Sequence, residues 1–196
     1  MKKIIFASNN VSKIKEVKNI LGHKFEIVSM GEAGLNLNIQ ETGTTFEENA
    51  IIKAKAVYDI LKVPVIADDS GLSVDYLNGE PGVNTAMYYK YGDDRGNNQK
   101  LINNLKSVYN RDAKFICVIA YIDENGELYI TKADARGKIL HEECGTNGFA
   151  YDSIFYSLEL GKSFGEASEQ EKNMVSHRAK AIEKLYRRVL CVIEHV

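Results

Sequence analysis

An α/β fold with a mixed sheet and helices on its faces is the architecture this sequence predicts, and three observations carry it. Two short apolar runs, residues 4–7 and 25–29, flank a segment whose Ile14, Val17, Ile20 and Leu21 recur at helical spacing. Thr45 opens a second helix, with a Thr45-x-x-Glu48 capping box and Phe46, Ala50, Ala54, Val57 and Leu61 on one face. Further on, residues 113–123 and 127–135 read as strands around Glu124-Asn125-Gly126, whose Asn-Gly pair marks an antiparallel hairpin. Strand–helix units followed by a hairpin give a mixed sheet, and two lobes around a cleft are one way to build it.

Taken in order, the first strand ends in a polar loop at Ser8-Asn9-Asn10, and the first helix covers residues 12–21. After the capped second helix, Val63-Pro64-Val65-Ile66-Ala67 reads as a buried strand running into Asp68-Asp69-Ser70-Gly71. Acidic residues at the end of a strand mark a candidate site. Residues 94–108 suit a third helix. Past the hairpin, Ser176 is placed to cap a C-terminal helix presenting Ala179, Ile182, Leu185, Tyr186, Val189 and Ile193 to the core. With two prolines, no repeat and no linker, residues 1–196 are expected to form one domain.

At 196 residues the chain can bury a sizeable core without disulfides. A formal charge of −2 supplies no field for wrapping nucleic acid. Cys117, Cys144 and Cys191 are odd in number and far apart, which fits free thiols in a reducing cytoplasm and argues against zinc. The apolar runs are too short to span a membrane, so a soluble, cytoplasmic protein is expected.

Four constellations can carry chemistry. At Ser8-Asn9-Asn10-Val11-Ser12-Lys13 a strand gives way to a helix N-terminus, where free amides and a lysine attract phosphate. Glu41, in a loop with Gly43, precedes the capped helix, and Lys53 lies one turn beyond Asn49 on the same face. Glu48 is accounted for by capping. Asp68 and Asp69 point to opposite sides of a strand, so they have different jobs: one faces a cleft and a hard divalent cation, the other fastens the loop. Asp69 with Glu41 would suit Mg²⁺, and a structural turn is the plain alternative for Asp68-Asp69-Ser70-Gly71. Finally, Phe149 and Asp152 of Gly148-Phe149-Ala150-Tyr151-Asp152, with Lys172, His177 and Arg178, offer a stacking face and hydrogen-bond donors for a base. Buried donors favour a purine with a 6-oxo group, because an amine there would leave them unmet.

The ordered motifs Ala7-Ser8-Asn9-Asn10-x-x-Lys13, Glu41-Thr42-Gly43-x-Thr45-Phe46-x-Glu48-Asn49-Ala50, Ala67-Asp68-Asp69-Ser70-Gly71-Leu72, Pro81-Gly82, Gly148-Phe149-x-Tyr151-Asp152 and Ser176-His177-Arg178 closely resemble one family. It is the inosine/xanthosine triphosphate pyrophosphatases, the Ham1- or RdgB-like enzymes, and the match covers nearly the whole chain. The resemblance implies an elongated α/β fold with a central mixed sheet, a cleft between two lobes, and a homodimer. It further implies Mg²⁺-dependent hydrolysis of non-standard purine nucleoside triphosphates (ITP, dITP, XTP) to the monophosphate and pyrophosphate. Carried over by residue, it assigns Ser8, Asn9, Asn10, Val11, Ser12 and Lys13 to the phosphates, with Lys53 assisting. Glu41 and Asp69 go to the metal, Asp69 also to the general base, and Ser70 to a substrate contact. Phe149, Ala150, Tyr151, Asp152, Lys172, His177 and Arg178 go to the nucleoside. Ala150 and Ser153 stand where the family often has glycine and proline, and Met87 where it usually has arginine.

The rival readings are a Maf-like pyrophosphatase of other base preference, a non-catalytic purine nucleotide-binding regulator, and a phosphatase releasing orthophosphate. Retained Glu41 and Asp69 weigh against the regulator.

Overall fold

The computed structural model describes residues 1–193. In chain order the elements are β1 (Lys3–Phe6), α1 (Val11–Leu21), β2 (Glu26–Ser29), α2 (Phe46–Leu61), β3 (Val65–Val74), α3 (Asp94–Asn104), β4 (Asp112–Ile122), β5 (Leu128–Ile139), β6 (Phe155–Ser157), β7 (Lys162–Ser163), α4 (Glu169–Val175) and α5 (His177–Leu185). A π turn, Tyr186–Leu190, then leads to a last helical turn, Cys191–Ile193. The strands form one open mixed sheet in the order β2-β1-β3-β4-β5-β6-β7, with β1 parallel to β2 and β3, and β6 antiparallel to β5 and β7.

Local chemistry sets the boundaries. Asn10 caps α1, its Oδ1 accepting from the Lys13 N–H at 3.1 Å, so the helix begins one residue before Ser12. The capping box at Thr45 and Glu48 opens α2 as the sequence predicts. β4 and β5 are sheet neighbours joined by a turn in which Gly126 takes φ +85°. α3 stops at Asn104, short of Val108, because the Leu105 N–H turns to the Ile102 carbonyl in a tightened last turn. Two short strands, β6 and β7, and the helix α4 were not apparent in the sequence pattern. Ser176, extended at φ −67° and ψ 152°, closes α4 and immediately precedes α5.

One expectation is corrected. β3 does not end at Ala67 but continues through Asp68, Asp69, Ser70 and Gly71 to Val74, so the acidic pair lies inside a strand and not in a turn. Aspartates usually interrupt strands. Here nearby cations neutralise both of them, and the apolar alternation resumes at Leu72 and Val74.

Residue contacts divide the chain into two compact units. One holds residues 1–69, 117–133 and Arg178 onward; the other holds residues 70–116 and 134–177. In the first, successive strand residues alternate between two cores. Ile4, Phe6, Ile66, Cys117, Ile119 and Tyr121 meet Val17 and Leu21 of α1 and Ala181, Ile182 and Leu185 of α5. Ile5, Ala7, Val65, Ala67, Val118 and Ala120 meet Ala50, Ala54 and Val57 of α2. The pleat thus puts α1 and α5 on one face and α2 on the other. The second unit has its own core, in which Leu101 of α3 and Leu105 just after it join Leu72, Val74, Phe115, Phe155 and Phe164. Its aromatic centre is tight, with ring centroids 4.6 Å apart for Phe115–Phe155 and 5.1 Å for Phe155–Phe164.

Among the described residues no helix is long and apolar enough to cross a membrane. All three cysteines are free; Cys117 is buried, while Cys144 and Cys191 are half-buried.

Leu185 seals the α5 face without exposure. Leu185→Ala should cost about 2–5 kcal/mol of unfolding free energy in urea titration.

Candidate active site

The alternation along β3 decides the fate of its two aspartates. Asp68 continues the Ile66 side, toward α1 and α5, where it meets Lys13 and Arg178. Its Oδ1 accepts from Lys13 Nζ at 3.1 Å, and its Oδ2 accepts from Arg178 Nε at 3.1 Å and Nη2 at 2.8 Å. Arg178 Nη1 also pairs with Glu16, one turn along α1 from Lys13. Burial pushes the Asp68 carboxyl up, but Lys13, Arg178 and Lys53 together outweigh it and hold the group far below the usual carboxylate range. Asp68 is therefore a fixed anion, and Arg178, 1% exposed, is its structural counter-ion.

Asp69 continues the Ala67 side, toward α2. Lys53 Nζ donates to Asp69 Oδ1 at 2.9 Å and to Glu41 Oε2 at 2.9 Å, and Asn49 Nδ2 lies 3.4 Å from Asp69 Oδ2. Asn49 also accepts from the Gly43 N–H at 2.8 Å, tying the Glu41 loop to the same point. No side chain fits at Gly43, because a Cβ there would lie 2.6 Å from Asn49 Oδ1. Here burial wins: it pushes Asp69 up to about 6, against the pull of Lys53 and Lys13 and with the charge of Glu41 adding to the rise. Burial alone would lower Lys53, yet Asp68, Asp69 and Glu41 raise it, so it stays a cation. Adjacent residues with one chemistry have thus been pushed to opposite ends of their range.

The donor set fits a small hard cation. Glu41 and Asp69 converge on one ammonium, and among the described residues no group of three or more His, Cys, Asp or Glu side chains gathers. Mg²⁺ takes one or two carboxylates and fills the rest of its shell with water and phosphate oxygens. At the start of α1, Asn9, Asn10 and Val11 are exposed and Ser8, Ser12 and Lys13 half-buried; Ser8 Oγ accepts from the Asn10 N–H at 3.1 Å.

The second unit holds an aromatic and charged group of its own. Asp152 Oδ2 accepts from the Phe149 N–H at 2.8 Å and from Lys172 Nζ at 2.6 Å, and the same ammonium lies 4.9 Å from the Phe149 ring centroid. Lys172 and Asp152 therefore shape the loop. Gly148, at φ +76°, has no room for a side chain: a Cβ would fall 2.1 Å from Asp152 Oδ2. Tyr151 is a buried pillar whose hydroxyl donates to the Thr85 carbonyl at 2.8 Å. His177 is buried with its ring stacked on Phe115 at 4.8 Å, and Ser70 is half-buried at the start of this unit. Met87 is exposed in a 3₁₀ stretch.

Sequence reasoning missed several supporting residues. Glu16 was signalled only by its spacing of three from Lys13. The helical spacing puts Asn49 beside Lys53 but gives no sign that it meets Asp69. Asp94 and Asn98 of α3, which hold the backbone of Ala150, left no sequence signal.

A sequence model of the Ham1 family matches residues 4–188. A dITP/XTP pyrophosphatase of Clostridium perfringens is 45% identical over 195 residues, covering 94% of this chain and 96% of its own. Among solved structures, the Ham1 protein of Staphylococcus aureus superposes with a TM-score of 0.84 at 41% identity, over 94% of this chain and 96% of that one. A HAM1 protein from Coxiella burnetii gives 0.85 at 38% identity, with the same coverage of both chains.

Asp68→Asn leaves Arg178 and Lys13 without their buried anion and should cost about 3–5 kcal/mol at neutral pH. Because folding lowers the Asp68 pKa, its contribution is complete above the unfolded value of about 3.9 and is lost as pH falls through and below it. Denaturant titrations at pH 7 and pH 3.5 should show the gap between wild type and variant shrinking at the lower pH.

Proposed function

The chain belongs to the Ham1 family, and from that premise we propose that it is a nucleoside-triphosphate pyrophosphatase cleaving dITP, ITP and XTP to the monophosphate and pyrophosphate. The observation that carries this reading is the Glu41–Lys53–Asp69 arrangement. It holds two carboxylates suited to a metal, one of which, Asp69, is a stronger base than an ordinary aspartate.

Glu41 and Asp69 would hold Mg²⁺, which when bound neutralises charge on phosphate oxygens. Asp69 takes a proton from a water whose oxygen attacks the α-phosphorus. The α–β phosphoanhydride bond breaks, and pyrophosphate leaves with the electron pair. Residues 8–13 bind phosphate through the amides at the start of α1 and through Lys13. An ammonium has three N–H donors, so pairing with Asp68 does not exhaust it. Lys53 assists from the α2 side, and Ser70 contacts the substrate.

Phe149 stacks on the base, and the backbone of residues 149–152, with Lys172 and His177, supplies the polar contacts. Arg178 serves through Asp68, since its guanidinium lies on that carboxylate and on Glu16. Buried donors accept a 6-oxopurine and leave adenine mismatched. The formal charge of −2 keeps nucleic acid from being a partner. We place the enzyme in the cytoplasm, cleansing the nucleotide pool. A homodimer is in keeping with the exposed Met87, Tyr89 and Tyr91, which a second copy would cover.

Purified protein with Mg²⁺ should turn over ITP and XTP in preference to ATP, GTP and dTTP, with pyrophosphate and not orthophosphate released; equal turnover of ATP would remove the pocket argument. Asp69→Asn should lower kcat by about 10²–10⁴-fold with its unfolding midpoint near that of wild type.

A further inference from the structure

Ala150 sits at φ +52°, in the left-handed region that alanine disfavours by a factor on the order of ten. It stands between Phe149, whose ring the nucleoside reading uses, and Tyr151 and Asp152. Something must hold that conformation, and the structure supplies it from α3. The Ala150 N–H donates to Asp94 Oδ2 at 3.1 Å, and the Ala150 carbonyl accepts from Asn98 Nδ2 at 3.2 Å. Asp94 and Asn98 lie four apart on α3, hence on one face, and grip both polar groups of one peptide residue.

Asn98 is placed for this purpose. It is buried, and its Nδ2 lies within bonding distance of Glu143 Oε1 at 2.8 Å and Ser153 Oγ at 3.3 Å as well as the Ala150 carbonyl. Its Oδ1 has no hydrogen-bond partner among the described residues. A buried amide retained only for stability would be expected to satisfy its acceptor as well as its donors. This one shares its donor side between Glu143 and the Ala150–Ser153 turn.

We propose that Asp94 and Asn98 are positioning residues that hold Ala150 left-handed and so keep the Phe149–Asp152 loop in its nucleoside-binding form. The proposal rests on the nucleoside reading of that loop. It follows that the clamp governs the fraction of molecules competent to bind, and apparent affinity falls in proportion to that fraction. Glycine at 150 would need the clamp less, since it enters the left-handed region freely.

The test compares wild type, Asn98→Ala, Asp94→Ala, Ala150→Gly and the Asn98→Ala/Ala150→Gly double variant, each checked for folding by its thermal midpoint. Steady-state kinetics on ITP with Mg²⁺ are read beside hydrogen exchange of the Ala150 amide. Asn98→Ala should raise KM for ITP about tenfold with a smaller change in kcat, and should speed exchange at Ala150. Adding Ala150→Gly should bring KM most of the way back to the wild-type value, a rescue that a merely structural asparagine would not show. Exposed Asp94→Ala should move KM and exchange in the same direction, and it decides the matter if Asn98→Ala does not fold. Unchanged KM and exchange in the folded variants, or no rescue by glycine, would overturn the clamp. If wild type fails to cleave ITP, the functional reading falls, while amide exchange at Ala150 still tests the clamp.

Discussion

Within the first unit, three elements meet at one carboxylate. Asp68 on β3, Lys13 on α1 and Arg178 at the start of α5 form an ion cluster that is almost wholly buried. Buried charges are costly unless paired and hydrogen-bonded, and this cluster meets the condition with a forked Arg–carboxylate contact and a lysine on the other oxygen. It requires β3 to remain a strand through two aspartates, and the strand's pleat then turns Asp69 toward α2. Asp69 meets Lys53 and Glu41 there as a consequence of where Asp68 is fixed.

That geometry gives two identical side chains opposite electrostatic surroundings. On one face, two cations hold Asp68 ionised. On the other, burial exceeds the pull of Lys53 and leaves Asp69 near 6. A carboxylate at that level remains mostly ionised at neutral pH while gaining basicity, the compromise a general base needs. The second unit follows a parallel rule: Lys172 fixes Asp152, Asp152 fixes the Phe149 amide, and the aromatic ring is left as the face a base would meet.

Much of this was legible in the chain, for physical reasons. The capping box at Thr45 and Glu48 and the Asn-Gly turn at Asn125-Gly126 are local, so their outcome does not await tertiary structure. The opposite orientations of Asp68 and Asp69 followed from strand periodicity alone. What could not be read depended on distant partners. Asp68 and Asp69 look like a strand terminator until Arg178, far along the chain, neutralises the first. Nor does the sequence signal that the guanidinium of Arg178, assigned to the nucleoside, lies on Asp68. The hold of Asp94 and Asn98 on Ala150 has no sequence signature, because it answers a backbone conformation visible only in three dimensions.

The central claim is that the pleat of β3 gives adjacent aspartates opposite electrostatic environments. Its most direct test is a carbon-13 titration of the Asp68 and Asp69 side-chain carboxyls by NMR in the metal-free protein. The account predicts that Asp69 titrates near pH 6 while Asp68 stays ionised to the acid limit of the folded state. Two carboxyls titrating together near pH 4, or Asp68 taking the first proton, would contradict it.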